Sequence, residues 1–404
     1  YQVSPYMGQS IIVTIFAVVV IGGMGSIFGA IVSGIMMGVI EGLTKVFWPE
    51  AASTVIFVIM AIVLVVRPAG LFGKDTVSHS GNDISNVRRE SILENGQLWL
   101  IVLTGVGVVM PFVIYPVFAM KILCFALFAS AYNLVFGYGG LLVFGHAAFF
   151  GSSAYVAAHA AAVWGLPPEL SILAGVAVAT AIGALFGWLA IRRQGLYFAM
   201  ITLALAQIVY FYAVTSSWTH GEDGIQSVPR GKLFGLIDLN DTMNMYFVVL
   251  VVFLAAFAFI TRMVRSPFGQ VLKSVRENEP RSISLGYSTD RYKLLAFTLS
   301  AMLAGLAGGM KAIVFQIASL ADLNFMTSAD VLLMTLIGGV GTLLGPIVGA
   351  VLVVTMQREL APLGAWVVVV QGGAFVLCVL FLRKGVIGAF EDFLARRANR
   401  ARDK

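Results

Sequence analysis

The chain has 404 residues, 59% of them hydrophobic and 11% charged, and a net charge of +6. Ordinary soluble domains carry roughly 25% charged residues, so most of this chain is not solvated by water and a soluble globular protein is excluded. No apolar stretch alternates with period two, which argues against a transmembrane barrel and for an all-α, polytopic helical bundle.

In chain order, apolar stretches at 11–40, 51–66, 98–120, 122–136, 141–163, 170–191, 196–215, 243–261, 294–315, 331–356 and 366–382 are expected as helices. Many approach the ~20 residues that cross a bilayer. The first residue is Tyr1 and no cleavable signal peptide precedes the apolar runs, so the chain is expected to begin partway through a longer polypeptide. The first stretch contains IGGMGSIFG (21–29), and the same phrase returns as IGGVGTLLG (337–345). From Gly25 to Arg67 is 42 residues, and from Gly341 to Arg383 is again 42. The endings agree as well, IVLVVRPAGLFG (62–73) against CVLFLRKGVIG (378–388). Residues 1–73 therefore read as the close of one repeated unit and 98–390 as a complete second unit, an arrangement common in transporters. Between them 74–97 is polar and aperiodic, a cytoplasmic linker, and 391–404 is a basic tail. Such a tail beside an apolar span fits anionic lipid better than nucleic acid.

Lys and Arg gather at 67–89, 192–193, 262–293 and 383–404. By the positive-inside rule these regions share the cytoplasmic face. Counting crossings from Leu98, the chain runs out, returns near Gly137–Gly140, runs out through 141–163, in through 170–191, out through 196–215 and in through 243–261. Loop 216–242 then lies outside, where Glu222 and Asp223 either meet a partner or are simply solvated. Three crossings after the basic loop would strand Arg383 and Lys384 on the wrong side, so one stretch must not cross. Gly338, Gly339, Gly341 and Gly345, followed by Pro346, weaken the middle of 331–356 and predict a broken or re-entrant element beside a transport route. The other reading of these glycines is close packing within a straight helix.

Polar residues inside apolar runs are candidates for the route: Asn133, His146, Thr202 and Gln207, with Gly338, Gly339 and Gly341. His146 either contacts substrate or hydrogen-bonds a neighbouring helix. No catalytic constellation is present. Gly73–Lys74 is followed by Asp75, so there is no phosphate-binding P-loop, and the G-x-G at Gly339–Gly341 lacks a ribose-binding acid. His79, His146, His159 and His220 are too dispersed for a metal set, and Cys124 and Cys378 lie in apolar runs. The scarcity of intramembrane acids, with Glu41, Asp322 and Asp330 at span ends, argues against an ion-coupled secondary transporter. Within 262–293 the segment VLKSVRENEPRSISLGYS has the apolar periodicity of a short helix lying flat on the cytoplasmic side, suited to a groove on another protein.

GLLVFGHAAFFGSSAY (140–155), GLYFAMITLALAQI (195–208), GEDGIQSVPR (221–230), RSPFGQVLKSVRENEPRSISLGYSTDRYKLLAFTLSAMLAGLAGG (265–309) and IGGVGTLLGPIVGA (337–350) together resemble the M-type permeases of branched-chain amino acid ATP-binding cassette importers. Residues 1–73 resemble the end of the partner H-type permease. The resemblance implies an inner-membrane, multi-pass permease that takes up leucine, isoleucine and valine by alternating access. Separate cytoplasmic ATPases would use the ATP, a periplasmic binding protein would deliver substrate, and a second permease half would complete the path. It places the ATPase-coupling helix at Arg276, Glu277, Glu279, Arg281 and Gly286. Pro280, Arg281 and Ser282 stand where the family usually has small residues. Relatives of this type carrying urea, short amides or aromatic acids leave the substrate open.

Overall fold

The computed structural model describes residues 7–23, 25–52, 54–67, 69–73, 96–193, 195–364, 366–381 and 385–389. The expected linker up to residue 95, Arg383, Lys384 and the basic tail lie outside them. Helices α1 (Met7–Gly22), α2 (Ile27–Phe47) and α3 (Val55–Val66) precede α4 (Gly96–Val113) and α5 (Pro116–Asn133), which continues into a π-turn over Leu134–Tyr138. Then come α6 (Ala147–Ala162), α7 (Pro168–Ala190), α8 (Leu196–Thr215), α9 (Thr242–Arg265), α10 (Pro267–Glu277), α11 (Glu279–Ser284), α12 (Thr289–Phe315), α13 (Phe325–Gly338), α14 (Gly345–Leu360) and α15 (Trp366–Phe381). Among the described residues, six helices are long and apolar enough to cross a membrane.

Three boundaries differ from expectation, each for a local reason. The break between the stretches at 98–120 and 122–136 falls at Ile114–Tyr115 and not near Lys121. Pro116 opens α5 without needing an amide donor and holds Tyr115 extended (φ −54, ψ 123). The helix expected from 141 begins only at Ala147. The basic loop forms two helices and not one: Pro280 cannot continue α10, so the chain breaks at Asn278 (φ −155, ψ 94), whose side chain then caps α11 by accepting from Arg281 N at 3.0 Å.

Helices α9 and α12 meet α10 and α11 at one end of the bundle, the basic end. At the other, the loop end, β1 (Ile225–Gln226) pairs antiparallel with β4 (Ile317–Ala318), and β2 (Lys232–Leu233) with β3 (Ile237–Asp238). Helix α12 packs on α5, α6 and α7. Small residues allow this approach in a setting where lipid supplies no hydrophobic drive: a Cβ on Gly308 would lie 1.9 Å from Phe150 O.

Helices α13 and α14 form a hairpin. A Cβ on Gly338 would lie 1.7 Å from Gly345 O, and one on Gly349 1.7 Å from Met334 O. At the hairpin's open end Gln357 Nε2 donates to Asp330 Oδ2 at 3.0 Å. The chain therefore enters from the loop end, turns at Gly339–Leu344 and leaves on the side it entered, as the parity argument required. Helix α15 then returns, so that a Cβ on Gly385 would lie 2.5 Å from Gly339 Cα.

The sequence phrase is repeated in space. Gly22 abuts Gly29 as Gly338 abuts Gly345, and Gly70 abuts Gly23 as Gly385 abuts Gly339. Ser26 Oγ caps α2 by accepting from Gly29 N at 3.0 Å, and Thr342 Oγ1 accepts from Gly345 N at 2.9 Å. The α1–α3 segment docks through α3 on α8, where Arg193 Nη2 donates to Val65 O at 2.9 Å.

Candidate functional site

The glycine tip of the α13–α14 hairpin rests on the end of α5. The π-turn widens the last turn of α5, and the tip closes against it so tightly that a Cβ on Gly137 would lie 2.6 Å from Gly341 N. Asn133, 2% exposed, binds the tip twice: its Oδ1 accepts from Gly341 N at 2.8 Å and its Nδ2 donates to Thr342 O at 2.9 Å. Gly339 (φ +126) and Gly341 (φ +70) hold backbone conformations that side chains disfavour. This is irregular backbone inside the bundle, with two of its polar groups met by one buried amide and others by the Thr342 hydroxyl.

Helix α10 bears on the same point from the basic end. Ser266 caps it, and Gly269, Leu272 and Val275 are buried against the bundle. Arg276 Nη1 donates to Gly137 O, and its aliphatic stem crosses Gly140, where a Cβ would lie 2.8 Å from Cγ. The same guanidinium nitrogen would lie 3.2 Å from a Cβ on Gly341. Lys273 Nζ sits 5.7 Å from the centre of the Tyr138 ring. Arg276, the π-turn, Asn133 and the hairpin tip thus form one continuous contact.

The other residues expected for coupling lie differently. Glu277, Arg281 and Gly286 are exposed. Glu279 turns inward and pairs with Lys293, itself 4% exposed, so its carboxylate balances a buried cation. Beside it, Ile283, Leu285 and Tyr287 are exposed apolar groups at the basic end, 56%, 68% and 41% accessible.

Of the remaining route candidates, His146 is fully buried. Its ring packs against Phe128, Tyr132 and Phe149, with Nε2 3.4 Å from Ser300 Oγ and Nδ1 unpartnered. Thr202 is also fully buried; its hydroxyl donates to Ala199 O at 2.7 Å and accepts from Phe144 N at 3.3 Å. Gln207 is half-buried, has no hydrogen-bond partner among the described residues, and stands apart from the tip. The structure therefore brings Asn133, Gly338, Gly339 and Gly341 together with Arg276. Thr202 holds residues 139–146, which His146 closes, and Gln207 joins neither group.

Residues 139–146 are a second irregular stretch that the apolar pattern concealed. They run without helix from Gly140, under Arg276, to Ala147, whose amide donates to Ser328 Oγ at 2.8 Å. Leu141 N donates to Val135 O and Phe144 N to Thr202, so buried hydroxyls stand in for the missing helical acceptors. Also missed were Lys121, inside α5, and Lys311, which pairs with Asp322 at 2.7 Å. An ionisable residue within an apolar helix was the available signal.

A bundle of apolar helices with a glycine hairpin buried within it, and a capped basic helix pressing on that hairpin's tip, defines a polytopic membrane permease. Residues 116–380 match the family described as branched-chain amino acid transport system / permease component, and the chain belongs to that family. It is 28% identical over 393 residues to the high-affinity branched-chain amino acid transport system permease protein LivM of Escherichia coli K12, covering 88% of this chain and 92% of that protein. LivM of Salmonella typhimurium is 29% identical over 333 residues, 76% of this chain and 78% of that one. The N-terminal part matches a different permease protein, LivH of Salmonella typhimurium, at 36% identity over 76 residues, 19% of this chain and 25% of LivH. No solved structure gives a significant match. The protein is a multi-pass inner-membrane permease component in which an H-type ending precedes an M-type unit.

Proposed function

We propose that the chain is a membrane half of an ATP-binding cassette importer and moves leucine, isoleucine and valine inward by alternating access. Separate ATPase subunits grip α10 and α11 at the cytoplasmic face and consume the ATP. A binding protein delivers substrate at the loop end, near Glu222 and Asp223, and a second permease half completes the path. The chain makes and breaks no covalent bond and holds no cofactor of its own. One observation carries this reading: a basic surface helix, flanked by the exposed apolar groups Ile283, Leu285 and Tyr287, is joined through Arg276 and Gly137 to the buried hairpin tip. A push on α10 therefore arrives at irregular backbone, the hairpin tip and the stretch at 139–146, which can re-form.

An ion-coupled carrier is the second reading, because Asp330 is an acid within α13. Both its oxygens already accept amide hydrogens, from Gln357 at 3.0 Å and Gln371 at 2.8 Å, which suits a fixed brace better than a proton carrier. The test is uptake of labelled leucine and urea into vesicles holding the chain with its ATPases and binding protein. Leucine accumulation that disappears without ATP supports the importer. Accumulation indifferent to ATP rejects it, and uptake of urea in place of leucine moves the chain to the amide carriers.

A further inference from the structure

The short strands β2 and β3 form a hairpin at the loop end that is polar at its base and apolar at its tip. Lys232 and Asp238 face each other at the base, Leu233 and Ile237 come next, and Phe234, Gly235 and Leu236 close the turn. Leu236 N donates to Leu233 O at 3.0 Å, and both Phe234 (φ +49) and Gly235 (φ +72) hold the left-handed backbone of that turn. Asn or Gly ordinarily fills such a position, because a bulky side chain is strained there. Phe234 is nevertheless 72% accessible, Leu236 87% and Ile237 42%, so the fold supplies little apolar contact that would offset the strain. Strain that the surroundings of a residue do not explain points to something that the residue meets.

The hairpin stands against the outer end of α7. Phe234 N donates to Glu169 Oε1 at 3.3 Å, and a Cβ on Gly231 would lie 3.3 Å from Pro168 Cδ. Helix α7 has 23 residues. It is therefore about 35 Å long, roughly 5 Å more than the hydrocarbon core, which leaves its first turn at headgroup depth. Leu170, Leu173, Val178, Leu185 and Trp188 are exposed along one side of α7 from end to end, the stripe with which it meets lipid. Trp164, just before α7, and Trp188, near its close, are 60% and 58% accessible, and exposed indoles settle at the two membrane interfaces. We infer that the tip at Phe234 and Leu236 is an interfacial anchor, covered by the boundary between lipid headgroups and acyl chains. The surface continuous with the tip, from Glu169 to Leu170, is the apolar stripe of α7, which favours lipid over a soluble protein as its cover. Lys232, at the polar base, then stands at the level of the lipid phosphates. The anchor is independent of which solute the chain carries.

The test uses the full chain, with Cys124 and Cys378 changed to alanine, in vesicles of phosphatidylethanolamine and phosphatidylglycerol. A nitroxide label is placed at Leu236→Cys or, as a solvated reference, at Asp223→Cys. Leu236 is so exposed that the label displaces no packed side chain. Relaxation by oxygen, which concentrates in lipid, is compared with relaxation by a water-soluble nickel chelate. The ratio of oxygen to nickel effect is expected to be severalfold higher at Leu236→Cys than at the reference. Phe234→Gly removes both ring and strain, and should move the Leu236→Cys ratio toward the reference while leaving the thermal profile unchanged. A label at Leu236→Cys as open to nickel as the reference overturns the anchor and leaves the tip to a soluble partner. Shielding from both reagents also overturns it, since protein would then cover the tip. So does a high ratio that Phe234→Gly leaves unmoved, because the ring would not be what sets the depth. The readout needs neither ATPase nor solute, so none of these outcomes bears on the importer reading.

Discussion

The two glycine hairpins share a turn and differ in what holds it. Gly23 and Gly25 (φ +103 and +88) mirror Gly339 and Gly341 (φ +126 and +70), and hydroxyl caps stand at Ser26 and Thr342. The arms are not equally close. Ser33 fits between α1 and α2 and donates to Val18 O at 2.8 Å, whereas at the matching Gly349 a Cβ would collide with Met334 O. The tips differ more. Gly25 is exposed and a Cβ there meets nothing within 4 Å, while Gly341 is enclosed by Asn133, Gly137 and Arg276. A nine-residue phrase is enough to specify a turn and its cap. The latch comes from α5 and α10, far away in sequence.

The largest expected effect comes from exchanging the arm residues. Gly349→Ser forces a side chain into backbone and should cost about 3 kcal/mol or more, enough to remove most folded protein. Ser33→Gly loses one hydroxyl bond in a looser hairpin and should cost about 1 kcal/mol. Thermal scans of the detergent-solubilised chain by size-exclusion profile would compare them, and equal losses would mean that the arms are equally close.

Next is the latch. Asn133→Ala removes both of its bonds to the buried tip, from Gly341 N and to Thr342 O, a loss of about 2–3 kcal/mol. Asn133→Asp keeps the acceptor for Gly341 N but loses the donor to Thr342 O and adds a buried charge, so it should not rescue. The same thermal scans decide, and a wild-type profile for Asn133→Ala would mean that the tip needs no latch.

How much of this was legible depends on where the determining contacts lie. The hairpin could be read from Gly338 to Pro346 because its glycines act within a few residues, and because charge parity demanded a turn. Helix α10 could be read because its apolar spacing is local. The path of residues 139–146 could not, since its amides are satisfied by Thr202 and Ser328, 58 and 181 positions from Phe144 and Ala147. A stretch so rich in apolar residues looks helical until those hydroxyls are placed. Nor could the sequence say that Glu279 turns to Lys293, 14 residues on, because a surface helix offers its carboxylate equally well outward. Asn133 stood out as a polar residue in an apolar run, but what it grips lies some 200 residues further along the chain.

A smaller effect should fall on activity alone. Arg276 reaches Gly137 O from a surface helix, and the bundle keeps Leu272 and Val275 as anchors when the guanidinium is removed. Arg276→Ala should therefore leave the thermal profile near that of the parent and lower ATP-driven leucine uptake about tenfold, the worth of about one charge-assisted hydrogen bond. ATP hydrolysis by the assembled complex should fall less than uptake. A matching collapse of stability would make Arg276 a brace for α10 and not a link from it to the tip.

The smallest effect isolates the turn from everything around it. Gly25→Ala adds a methyl group to open space, so the only cost is that of holding an L-residue at positive φ, about 1 kcal/mol. Gly341→Ala pays that same cost and also brings a methyl group to 3.1 Å from Gly137 O and 3.2 Å from Arg276 Nη1, so it should lose more. The difference between the two substitutions, read from the thermal scans, then measures the enclosure of the second tip with backbone strain cancelled. If Gly25→Ala proves as costly as Gly341→Ala, the first tip is also enclosed in the folded protein. The surface that encloses it would then lie outside the described residues, none of which approaches within 4 Å of that position.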